Sequence, residues 1–272
     1  RPSLDDQLEK SGLLCGRDSM AGGTVLGLQV STGTLCALTN CRTTIKWNPD
    51  ERTSRGHLVE HLASNGAENA EEFISERKID PFHVVVGKIF QESPEMQYFW
   101  KAPAEGQERS SSAQSCTWAF GSDIFRQGVF VISNENPAYG VWPKCLWLQR
   151  ELHSFLERLP PTADAKELHE GLANLMSRFD VPGVAAPQRL PSWFPASIEK
   201  MLHSGPFSPW RPEFPDFGTV SQRIIFNDTF RKTYYYHRST NLATETSGPP
   251  AMGDWHEFQI SWDNGVLRSP KL

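Results

Sequence analysis

The chain has 272 residues and a formal charge of −5 at pH 7, from 27 Lys and Arg against 32 Asp and Glu. That balance, with no basic run, excludes a broad nucleic-acid footprint and a polybasic lipid patch. Hydrophobic residues make up 38% and charged residues 22%, which suits a soluble globular protein of one large or two small domains; no apolar run approaches the roughly 20 residues of a membrane span.

Residues 21–40, AGGTVLGLQVSTGTLCALTN, predict two antiparallel strands at 24–30 and 34–39 joined by a tight turn. Gly22 and Gly23 let the backbone approach something that a side chain would block. Asn40, at the strand end, offers an amide donor and acceptor. Helices are expected over 54–64 and 69–78, with Ser54 and Asn69 as N-caps and acidic residues after Asn69. Strands at 82–90 and 96–102 come next. The Ser-rich stretch 104–115 reads as a mobile loop, followed by strands at 116–120 and 128–133 and then Asn134.

Cys145, Leu148, Leu152, Phe155, Leu156 and Leu159 repeat at helical spacing and predict a helix over 144–159, ended by Pro160-Pro161. A second helix is expected over 164–178, with Asp164 as its cap or in its first turn. Eight prolines between Pro182 and Pro215 leave room for no more than a short turn near 196–203. That stretch reads as a surface connection packed down by Trp193, Phe194, Phe207 and Trp210, or as a partner-binding segment. Strands are expected at 218–227, 230–238 and 255–262; in the last, Phe258, Ile260 and Trp262 alternate with polar residues. Asn227-Asp228-Thr229 is formally a glycosylation site, but its place between two strands reads as a hairpin turn. Strands surrounding two central helices indicate the α+β class.

Five cysteines, an odd number without CxxC, indicate a reduced intracellular protein with thiols buried as small hydrophobes. His57-Leu58-Val59-Glu60-His61 matches the H-x-x-E-H pattern of zinc proteases, which sets two imidazoles on one helix face. A catalytic zinc needs a third protein ligand, and no motif singles one out. No metal or cofactor is therefore expected, with the zinc protease kept as an alternative.

Four segments, in order, resemble the NRDE-domain family, also called the transport and Golgi organization protein 2 family. They are the hairpin Gly22-Gly23-Thr24 to Asn40, Ser54-Arg55-Gly56-His57-Leu58-Val59, Ile132-Ser133-Asn134 with Trp142-Pro143-Lys144, and Phe217-Gly218-Thr219-Val220-Ser221. The chain departs from the family pattern at Val25, Phe217 and Val220, where the family has Trp, Tyr and Arg, and it lacks the Asn-Arg-Asp-Glu motif. It opens with Arg1-Pro2, similar to the pair that follows that motif, so a fragment without its first strand or two is expected.

The resemblance implies an αββα sandwich like that of N-terminal-nucleophile hydrolases, formed by a single domain over 1–272 that contains the 182–215 connection. It implies a ligand pocket between the sheets, with Asn40, Asn134, Gly218, Thr219, Gly22 and Gly23 around it. The two asparagines would help to hold an oxyanion, although Asn at strand ends also serves turns. Further implications are a role in Golgi organisation and secretory transport, handling of haem or acyl-lipid cargo, and a cytoplasmic location associated with the Golgi or mitochondria. With Arg1 in place of a nucleophile and Val220 in place of the arginine, no catalytic residue is assigned and binding without turnover is expected. The rival is a thiol amidohydrolase whose cysteine lies upstream.

Overall fold

The computed structural model describes residues 12–17, 23–43, 45, 47–48, 50–91, 94–105, 107, 113, 116–125, 128–134, 141–178, 221–228, 232–241, 251–261 and 266–268. The chain divides into two compact units, Arg1–Val141 and Trp142–Leu272. The protein is α+β, as expected, with antiparallel sheets and few helices.

The first unit holds a six-stranded meander of β1 (Leu13–Arg17), β2 (Thr24–Gln29), β3 (Thr34–Asn40), β4 (Phe82–Lys88), β5 (Met96–Pro103) and β6 (Trp118–Phe125), in that spatial order. Between β3 and β4 the chain forms α1 (Arg55–Asn65) and α2 (Ala70–Ser75). Ser54 caps α1, its Oγ accepting the Gly56 N–H at 3.2 Å. Leu58, Val59, Leu62 and Ala63 recur at i, i+4 and form one buried stripe. That stripe packs with Cys36 and Leu38 of β3, Phe82, Val84 and Val86 of β4, and Phe99 of β5. Each large side chain in this cluster contributes about 1.5–3 kcal/mol by leaving water.

Several expectations need correction. The apolar run at 128–133 is not a strand. After β6 the chain bends at Gly128, Phe130 stacks on Phe125 at 4.1 Å, and Asn134 hydrogen-bonds to Arg42. The strand expected at 116–120 starts at Trp118 and runs to Phe125. Helix α2 ends at Ser75, because the chain must turn to bring buried Ile79 into a parallel bridge with Thr53. The Asn69 side chain makes no cap bond. Strand β1 was not foreseen. Within the loop expected at 104–115, Ala113 is buried beside Ile45 and Cys116.

In the second unit α3 (Pro143–Arg158) and α4 (Ala165–Met176) pack against each other, the Phe155 ring lying on Gly171. Asp164 caps α4 through a reciprocal pair: the Glu167 N–H donates to Asp164 Oδ1 at 2.9 Å, and the Asp164 N–H to Glu167 Oε2 at 3.0 Å. The apolar face of α3 is less covered than its spacing suggests, since Leu156 is 42% exposed. The sheet orders β11 (Val266–Arg268), β10 (His256–Ser261), β8 (Lys232–Asn241) and β7 (Ser221–Asn227), with β9 (Ala251–Met252) on β8. Strands β9 and β11 were not foreseen. Residues 227–228 form the expected hairpin turn: the Asp228 N–H donates to the Lys232 C=O, and the Lys232 N–H returns to Asp228 Oδ1. In β10, Phe258 and Ile260 are buried and Glu257 and Gln259 half-buried, as the alternation predicts. The proline-rich stretch 182–215 lies outside the described residues. All five cysteines are free thiols and buried.

Candidate functional site

The chemistry of the first unit gathers at the end of the sheet where β3 stops and β4 begins. The N-terminus of α1 is pressed onto this end by two glycines. A Cβ on Gly56 would overlap Gly23 Cα and lie 2.7 Å from the Thr24 nitrogen. What Gly23 lets approach is therefore the helix, through its own Gly56. This contact joins two of the motif segments read from the sequence.

Asn40 ends β3 and is exposed. The chain then turns, with the Cys41 N–H donating to Pro81 C=O at 3.1 Å and the Arg42 N–H to Asn134 C=O at 2.8 Å. Segments around the two candidate asparagines are thus backbone neighbours, although 94 positions apart by number (134 − 40). The Asn134 side-chain oxygen accepts the Ser133 hydroxyl at 3.1 Å. Gly22, Gly218 and Thr219 lie outside the described residues.

Sequence reasoning did not find the charged centre beside them. Asp80 is 4% exposed; its Oδ1 accepts the Trp47 N–H at 3.1 Å and its Oδ2 pairs with Arg52 at 2.8 Å. Arg55 donates to Pro81 C=O at 3.2 Å. Burial lowers the Arg55 pKa from its usual value, and Arg52 adds to this while Asp80 and Cys41 oppose it. Lys101, opposite Phe82 on β5, is buried; its ammonium lies over Trp118 at 5.4 Å and Trp47 at 5.7 Å. Burial likewise lowers the Lys101 pKa, against the pull of Asp80 and Cys116. Trp47, Asp80, Lys101 and Trp118 come from four separate segments with no shared motif. The one local signal was Lys101 itself, the single charged residue of a largely apolar and aromatic strand, β5.

The His57-x-x-Glu60-His61 segment lies on α1 as its spacing predicts. There Glu60 pairs with Arg17, and His61 stacks on Phe73 at 3.8 Å and meets the Asn65 amide. Among the described residues no three His, Cys, Asp or Glu side chains gather as a metal site.

At the opposite end of the sheet is a cleft of about 290 Å³, lined by Thr34, Asn65, Lys88, Glu95 and Gln97 among others. Asn40 stands six residues beyond Thr34 on β3, about 20 Å at the rise of a strand. The cleft is thus separate from the asparagine end.

Among the described residues no helix is long and apolar enough to cross a membrane. Comparison with curated proteins and with solved structures finds no match. The family model of Transport and Golgi organisation 2 matches residues 1–241, most of the chain. The chain therefore belongs to the Transport and Golgi organisation 2 family, whose description points to a role in transport and Golgi organisation.

Proposed function

We propose that the chain binds a small cargo, haem or an acyl lipid, at the asparagine end of the six-stranded sheet and carries it without chemical turnover. It would do so from the cytoplasm, in the service of Golgi organisation and secretory transport. Haem and an acyl lipid with an acidic head are anionic at one end and apolar elsewhere. One observation carries the proposal: the bond from Arg42 to Asn134 brings both asparagine segments together at the end of the sheet that also holds Arg52, Arg55 and Lys101. Amide-bearing segments and cations gathered at one sheet end, with aromatic rings nearby, support an anionic, largely apolar ligand.

Titrating the chain with haem, followed by absorbance, and with a fluorescent acyl lipid tests this. Joint replacement Asn40→Ala and Asn134→Ala is expected to weaken binding about tenfold or more, equivalent to about 1.4 kcal/mol. Failure of the unaltered chain to bind either cargo would overturn the proposal. Release of free acid from an acyl amide or thioester would overturn the absence of turnover.

A further inference from the structure

Lys101 is 9% exposed. Among the described residues its ammonium faces two indole rings, Trp118 at 5.4 Å and Trp47 at 5.7 Å. Both rings are fixed from behind: Trp47 Nε1–H donates to Ile79 C=O at 3.2 Å and Trp118 Nε1–H to Ala113 C=O at 3.1 Å. The two rings lie 5.9 Å apart, inclined by 27°. Asp80 is the carboxylate that acts on Lys101, but its oxygens already serve Trp47 and Arg52. An ammonium carries three donors. Ring faces repay part of the cost of burying it, but they do not replace an oxygen acceptor.

We propose that Lys101 anchors the head of a carboxylate-bearing amphiphile, with the carboxylate meeting the ammonium beside Trp47 and Trp118 and the apolar body passing Phe120. Phe120 is paired directly with Lys101 across β5 and β6, so it shares the same sheet face. It is 43% exposed and stacks on buried Phe99 at 6.3 Å, a ready apolar continuation of the site. Arg52 is taken up by Asp80 and Arg55 bonds Pro81 C=O, so the one ammonium of Lys101 matches the single negative charge of a carboxylate rather than the roughly two of a phosphate monoester. This anchor rests on the cargo reading above and narrows it to free carboxylates. A fatty acid and a haem propionate both supply that chemistry.

The test is titration of the whole chain with four probes: oleate, methyl oleate, haem, and haem dimethyl ester. At least one acid is expected to bind about tenfold or more tightly than its ester. Oleate alone doing so identifies a fatty-acid head, and haem alone a propionate. Lys101→Met should abolish the preference for the acid, and Lys101→Arg should keep part of it. Should Lys101→Met fail to fold, the unaltered chain gives the same answer, because the bound acid must shield Lys101 from acetic anhydride, read by peptide mass. Acids and esters binding alike, or an unshielded Lys101, would overturn the anchor and leave the cargo reading standing. Failure of all four probes to bind would overturn both.

Discussion

The two ends of the six-stranded sheet are closed in opposite ways by the same helix. At the Asn40 end, α1 begins against the sheet with no room for a Cβ between Gly56 and Gly23, and charged groups are buried. At the Thr34 end, α1 finishes at Gly66 and leaves an open polar cleft. A buried charge must be answered by the protein, as Asp80 is by Arg52, or by a ligand, as proposed for Lys101. Lys88, Glu95 and Gln97 on the cleft wall are exposed to solvent, whereas Thr34 is buried and its hydroxyl bonds to that of Thr32.

Substitutions at the two ends should therefore differ in cost. The largest effect is expected from Gly56→Ala, which drives a methyl into the backbone of residues 23 and 24; overpacking of this kind costs about 3 kcal/mol. Urea unfolding of Gly56→Ala reads it directly, and a loss under about 1 kcal/mol would mean that the helix can slide off the sheet. Asp80→Ala comes next. It leaves the Trp47 N–H and Arg52 without their shared acceptor, at about 2 kcal/mol for bonds to a charged group. An unchanged urea midpoint would show that water reaches this centre.

At the open end the cost is conformational. Gly66 has φ 77° and ψ −167°, a region essentially confined to glycine, yet nothing lies within 4 Å of an added Cβ. Gly66→Ala should therefore cost about 1–2 kcal/mol from backbone strain. A loss equal to that of Gly56→Ala would erase the contrast between crowding and strain.

His61 tests the same half of α1 by pH. Burial first, and then Arg77, lowers its pKa below the ordinary 6.5. The unfolded chain therefore takes up the proton first as pH falls, so the stability from neutral His61 is present above pH 6.5 and lost below it. Comparing urea midpoints at about pH 7.5 and about pH 5.5, the acid loss should be smaller in His61→Gln than in the unaltered chain. An equal loss in both would remove His61 as its source. The smallest effect is expected from Lys88→Ala on the cleft wall, within about 0.5 kcal/mol by thermal unfolding.

Local chemistry made much of the architecture legible. Alternation and a tight turn announced the β2–β3 hairpin, Ser54 announced the start of α1, Asp164 that of α4, and Asn227-Asp228 the turn before β8. Strand β1 escaped notice because three consecutive buried residues, Leu13, Leu14 and Cys15, show no alternation. The run at 128–133 misled for the converse reason: its residues are as apolar as a strand, but apolarity alone supplies no pairing partner.

By itself, then, the sequence determined the α+β class, most element positions, the family resemblance and the two asparagines at segment ends. Those are properties of neighbouring residues, and period, caps and turn chemistry act over a few positions. Only the tertiary structure decided that Gly23 serves the close approach of Gly56, that Asn134 lies beside Arg42, and that Trp47, Asp80, Lys101 and Trp118 share one buried centre. Burial of a charge arises from segments that are distant along the chain, so the one local signal, a charge in strand β5, could not name the groups that surround Lys101.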